Sequence, residues 1–122
     1  MTKDLTGYRV VAVHAHPDDE VLFTGGTLAD LSARGAQVTL ITATLGEEGE
    51  IIGEPYQGLA ETDQLGGFRA WELKHALDAL GVDGIQLGGF GHFRDSGMEG
   101  SPAHENPRAL VNRVEEAADL LR

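Results

Sequence analysis

The stretch Val11-Ala12-Val13-His14-Ala15-His16-Pro17-Asp18-Asp19-Glu20 constrains this chain more than any other. An apolar run stops abruptly in two histidines and three acids, and a helical pattern starts at once. A strand that feeds a polar loop and then a helix is the opening of a βαβ unit. In sheets built from such units, ligands and chemistry gather at the C-terminal ends of the strands. There, His16 with Asp18 and Asp19 can offer several donors to one metal ion. Zinc takes His nitrogen and Asp oxygen, and a catalytic site keeps one position for water. A carboxylate beside the metal that is not a ligand can act as general base. The stretch therefore reads as half of a zinc-type site with a base next to it. Any one of these acids alone is more ordinary as a helix cap; the cluster carries the reading.

The remaining chain alternates in the same way. Residues 9–13 form a strand whose continuous apolar character predicts burial on both faces. A helix over 19–34 turns Val21, Leu28 and Leu31 inward and stops at Gly35. A second strand covers 37–43. An irregular loop over 45–63 carries Gly46-Glu47-Glu48-Gly49-Glu50, a weak candidate for a second cation site. A helix over 63–80 buries Ala70, Leu73, Ala76, Leu77 and Leu80, with Gly81 as its stop. A short strand over 84–87 leads into a polar loop over 88–106. The last helix starts at Pro107 and turns Leu110, Val114, Ala117 and Leu121 inward. The order βαβαβα predicts an α/β fold: one Rossmann-like domain over residues 1–122 with a parallel three-stranded sheet. Three strands are few for that architecture, so the chain reads as the N-terminal portion of a larger fold.

Charge narrows the partners. Nine basic against twenty acidic residues leave a formal charge of −11, which repels nucleic-acid phosphates and anionic lipid surfaces. A small-molecule substrate is expected, with no nucleic acid and no membrane; self-association of copies is compatible with the sequence. The absence of cysteine leaves His, Asp and Glu as the metal ligands available. Residues 1–5 lack the apolar core of a signal peptide, and a cytoplasmic protein is the expectation. A nucleotide-binding module is disfavoured, because the first strand runs into acids rather than a glycine-rich phosphate cradle.

Several segments, in order, resemble the PIG-L family of zinc-dependent N-acetylglucosamine deacetylases. They are Ala15-His16-Pro17-Asp18-Asp19-Glu20, Thr44-Leu45-Gly46-Glu47-Glu48-Gly49-Glu50, Asp63-Gln64-Leu65-Gly66-Gly67-Phe68-Arg69, and the run from Gly88 to Met98 containing Arg94-Asp95-Ser96-Gly97. Together they are similar to the branch that deacetylates N-acetylglucosaminyl-inositol in mycothiol biosynthesis. The resemblance implies that His16 and Asp19 ligate zinc, with ferrous iron as the alternative, and that Asp18 is the general base. It also implies that Arg69 and Asp95 hold sugar hydroxyls. His14 is expected at the strand end, orienting His16 or the base by a hydrogen bond. His75, His92 and His104 are expected on the surface and Trp71 in packing. The family's third ligand, a histidine in a later His-Pro-Asp-His segment, has no counterpart among His14, His16, His75, His92 and His104. The isolated chain is therefore expected to be nearly inactive. The competing expectation is a non-catalytic fragment or Rossmann-like binding module that requires a partner chain.

Overall fold

A computed structural model describes residues 3–122. Strands β1 (Arg9–His14), β2 (Gln37–Thr42) and β3 (Asp83–Gln86) form one parallel sheet in the order β1-β2-β3. The register sets Val13 beside Ile41 and Ile41 beside Ile85. Helices α1 (Asp19–Phe23) and α2 (Gly25–Ala33) join β1 to β2; α3 (Gly58–Glu61) and α4 (Leu65–Leu80) join β2 to β3; α5 (Val114–Leu121) follows the polar loop. The expected α/β class and three parallel strands are present.

Two successive right-handed crossovers in one direction place their helices on one face of a sheet. The core accordingly lies between α2, α4 and that face, where Leu28, Val38, Leu40, Leu73 and Leu77 are buried and Val10 and Ala12 pack against them. The opposite face is different. Val11 is 61% exposed, Val13 48% and Ile85 54%, so the expectation that β1 is buried on both faces is wrong. A smaller cluster of Ala43, Leu87, Phe93 and Ala117, with Ile41 and Leu110 packed against it, covers one corner of that side.

Three further expectations are corrected. The helix over 19–34 is broken at Thr24, which has a non-helical φ of −131°. Gly25 and Gly26 follow it, and glycine costs a helix about 1 kcal/mol relative to alanine. Val21 is consequently exposed rather than inward. The loop over 45–63 contains α3 and a 3-10 turn at Glu54–Tyr56. The last helix starts later than expected because residues 107–108 form a turn, closed by the Ala109 N–H on the Asn106 carbonyl, and Ala109 then bridges to Arg94. Arg94 donates its N–H to Arg108 and accepts one from Leu110, which leaves a 3-10 turn at Leu110–Asn112 before α5. Val114 and Leu121 are exposed, and Ala117 alone of the expected α5 stripe is buried. No described helix is long and apolar enough to cross a membrane.

Candidate active site

At the C-terminal end of the sheet, the loop after β1 is tied to the chain after β2. Thr44 donates both its N–H (2.9 Å) and its hydroxyl (3.0 Å) to the Ala15 carbonyl. The same hydroxyl accepts the Gly46 N–H at 3.1 Å. Pro17 and Thr44 are buried, so this floor is rigid. Above it opens a cleft of about 690 Å³ lined by His16, Asp18, Asp19, Arg69 and Asp95, with Leu22 and Met98 on its walls. Five of the six residues expected to form the site thus meet in one cavity.

His16 stands between two carboxylates. Its Nδ1 lies 3.6 Å from Asp19 Oδ2 and its Nε2 lies 3.2 Å from Asp95 Oδ1. Asp19 Oδ2 also accepts the His16 N–H at 3.1 Å, which folds the loop back on itself. Asp95, 7% exposed, accepts the Glu48 N–H (3.1 Å) and the Gly97 N–H (3.2 Å) as well. Burial would raise the Asp95 carboxyl, but the hydrogen bonds from His16, Gly97 and Glu48 outweigh it and hold it at about 2. The bond to Asp95 raises the His16 imidazole above its ordinary value against the opposing effect of burial.

Asp18 occupies the N-cap position of α1 but makes no side-chain capping bond, and its φ is +90°. A non-glycine residue in the left-handed region is strained, and such strain concentrates at functional positions. The geometry removes the ordinary cap reading for Asp18 and presents its carboxylate to the cleft. Arg69 supports it from α4. Its Nη2 donates to the Pro17 carbonyl at 2.5 Å and to Asp18 Oδ2 at 3.4 Å, and Nη1 donates to the Gly46 carbonyl at 2.8 Å. A Cβ on Gly46 or Gly49 would lie 2.2 or 2.5 Å from Arg69 Nη1. The two glycines of the acidic loop therefore make room for the guanidinium.

Two acids of that loop, Glu47 and Glu48, are engaged within the chain. Glu47 Oε1 accepts the Leu45 N–H at 3.0 Å. Arg94 lies 3.9 Å from Glu47, 3.6 Å from Glu48 and 2.9 Å from Asp63. His14 bonds Thr24 Oγ1 at 3.0 Å rather than His16 or Asp18, so it braces the α1–α2 break. His92 bonds Glu116 at 2.6 Å, and His75 packs edge-on to Trp71. Trp71 is 58% exposed and is not core packing. Sequence reasoning passed over Glu20, which is fully buried with neither carboxylate oxygen hydrogen-bonded. Burial pushes its carboxyl upward. Glu20 was hidden because a third acid in a row reads as one more solvated helix-start charge.

Zinc chemistry fits the donors present. Tetrahedral zinc with ligands at about 2.0 Å holds neighbouring donor atoms about 3.3 Å apart, close to the 3.6 Å between His16 Nδ1 and Asp19 Oδ2. An imidazole whose Nε2–H is given to Asp95 turns the Nδ1 lone pair toward Asp19, the usual way a carboxylate orients a ligating histidine. Among the described residues, no three His, Cys, Asp or Glu side chains form a group that could hold a metal ion.

Comparison with known proteins places this geometry. The chain is 60% identical over 121 residues to the 1D-myo-inositol 2-acetamido-2-deoxy-alpha-D-glucopyranoside deacetylase of Corynebacterium diphtheriae, covering 98% of this chain and 41% of that protein. The chain thus spans about two fifths of the length of this relative. A deacetylase of teicoplanin biosynthesis in complex with teicoplanin aligns with a TM-score of 0.63 at 27% identity, covering 93% of this chain and 51% of the other. A zinc-inhibited form of the teicoplanin deacetylase Orf2 aligns at 0.53 and 28% identity, covering 77% and 36%. The PIG-L family pattern, described as GlcNAc-PI de-N-acetylase, matches residues 11–121. This chain, with its His16–Asp19 pair at the end of β1, belongs to the PIG-L family.

Proposed function

We propose that this chain carries the base-bearing part of a metal-dependent N-deacetylase that hydrolyses the acetamide of an N-acetylglucosaminyl compound. N-acetylglucosaminyl-inositol is the best-supported substrate, because it is what the printed name of the 60% identical relative specifies. The observation that carries the reading is the convergence of His16 and Asp19 beside a strained, uncapped Asp18 in one cleft. In this reading His16 and Asp19 hold zinc or ferrous iron. The bound ion supplies Lewis acidity, making water a stronger acid and the acetamide carbonyl a better electrophile.

The chain's own residues do the rest. Asp18 accepts a proton from the attacking water as the new C–O bond forms at the carbonyl carbon. It returns that proton to the amide nitrogen as the C–N bond breaks, so acetate and the free amine leave. Arg69 steadies the Asp18 carboxylate through Oδ2, leaving Oδ1 for the proton. Its rigid fork and the Asp95 carboxylate face the same cleft, where they can bind sugar hydroxyls. A two-donor set holds metal weakly, so the isolated 122 residues are proposed to have little activity and to act within a longer or paired protein.

The test is a chimera in which these 122 residues replace the matching part of the Corynebacterium diphtheriae relative. It should release acetate from N-acetylglucosaminyl-inositol in a zinc-dependent manner, and Asp18→Asn should lower kcat by about 10²–10⁴-fold. A chimera that folds and binds zinc yet releases no acetate contradicts the proposal.

A further inference from the structure

Arg69 and Asp95 reach the cleft from segments far apart in the chain, α4 and the loop after β3. The acidic loop 46–49 touches both. Its Gly46 carbonyl accepts Arg69 Nη1 at 2.8 Å. Its Glu48 N–H donates to Asp95 Oδ2 at 3.1 Å, and Glu47 Oε1 accepts the Asp95 N–H at 3.4 Å. The spacing of the two cleft residues therefore depends on how this loop is held.

Arg94 holds it. Its guanidinium grips Asp63 through two bonds, Nη2 to Oδ1 at 2.9 Å and Nη1 to Oδ2 at 3.3 Å. The same group lies 3.6 Å from Glu48 and 3.9 Å from Glu47. The Glu47 side chain is only 8% exposed, and a carboxylate so far from water needs a counter-charge. Without Arg94, the carboxylates of Glu47, Glu48 and Asp63 would repel one another beside Asp95. Asp63 lies between α3 and α4, six residues ahead of Arg69. Its φ is +53°, a region uncommon for a residue with a side chain, and such outliers persist where their surroundings hold them. The ion pair thus joins the segments that lead into the two cleft residues. Its effect on global stability is small, because the Asp63 side chain is 67% exposed and exposed pairs contribute little. Its effect is local geometry.

We propose that Arg94 is a positioning residue: by neutralising Glu47 and Glu48 while gripping Asp63, it sets the Asp95 carboxylate and the Arg69 guanidinium at the spacing that holds the hydroxyls of one amino-sugar ring. The inference rests on the cleft being the amino-sugar site. Arg94 does not line the cleft, so it acts through the acidic loop and on ligand affinity.

The experiment follows the 122-residue chain by NMR, reading amide exchange and titration with methyl N-acetyl-α-D-glucosaminide. In Arg94→Ala, exchange at Glu48 and Gly97, whose N–H groups Asp95 accepts, should rise at least about tenfold. Val38 and Leu40, buried in β2, should change by less than about threefold, since the opening is local. Sugar affinity should fall at least about tenfold, the equivalent of one hydrogen bond to a charged group. Arg94→Lys keeps the charge without the fork and should recover part of both losses. The exchange Arg94→Asp with Asp63→Arg restores opposite charges in the pair but turns a carboxylate on Glu47 and Glu48, so affinity should stay low. Should Arg94→Ala fail to fold, Asp63→Asn carries the comparison: it leaves Arg94 in place, and Glu48 and Gly97 should still exchange faster while β2 does not. Exchange that rises equally at all four amides, affinity within about twofold of wild type in Arg94→Ala, or full recovery in the charge exchange overturns the proposal while leaving the sugar site standing. A wild type that binds no sugar, with Glu48 and Gly97 responding as expected, removes the sugar reading and leaves the positioning of Asp95 by Arg94 standing.

Discussion

The C-terminal end of the sheet and its uncovered face are built on opposite terms. At the end, polar groups are matched within the chain: Asp95 takes three hydrogen bonds, Arg69 reaches two carbonyls and a carboxylate, and Thr44 closes the floor. On the uncovered face, Val11, Val13 and Ile85 stand exposed with nothing over them among the described residues. The site end is therefore held by its own network and should keep its shape in this chain. The apolar face is a surface seeking a partner.

The covered face sets the scale. Leu40 is fully buried between β2 and the helices, and Leu40→Ala should cost about 2–5 kcal/mol in urea unfolding. A loss under about 1 kcal/mol would mean that the helix-covered face is no better packed than the open one.

Arg69→Ala tests the polar end. It frees the Pro17 and Gly46 carbonyls and opens a gap against two glycines, for an expected cost of about 1–3 kcal/mol. Loss of order should concentrate in residues 15–19 and 46–49, read by amide exchange. A uniform loss across the sheet would show that Arg69 is merely a packing residue.

Asp95→Asn tests the same network through pH. The Asp95 carboxyl is depressed from 3.8 to about 2, so its stabilisation is present in full above the unfolded value and is lost as pH falls through about 2. His16 is raised from 6.5, so its share is complete below that value and fades as pH rises through its folded value. The melting-temperature difference between wild type and Asp95→Asn should be greatest between these limits and shrink on either side. A pH-independent difference would remove the ion pair from the account. The smallest effect belongs to the open face. Val11→Thr with Val13→Thr should change stability by less than about 0.5 kcal/mol while lowering self-association in sedimentation.

The contrast also governs what the sequence could reveal. Strands and the main core residues were legible because apolar spacing records burial: Leu73 and Leu77 lie where a helix of period 3.6 places them. The same signal failed for Val11 and Val13, since a run of apolar residues states what would be buried by a complete fold and not what covers it here. The break at Thr24 had a cue in Gly25-Gly26. The late start of α5 had none, because the pairing of Arg94 with Ala109 is tertiary. Membership of the cleft was readable from motif order for His16, Asp18, Asp19, Arg69 and Asp95. Their geometry was not: the left-handed Asp18, the bond from His14 to Thr24 and the orphaned Glu20 depend on contacts between distant segments.

The most direct test of the central claim is zinc affinity of the 122-residue chain, measured beside His16→Ala and Asp19→Ala across pH 5.5 to 8. Weak binding is expected that strengthens as His16 loses its proton and disappears in each variant. Zinc binding that persists unchanged in both variants would contradict the assignment of His16 and Asp19 as the metal-holding pair.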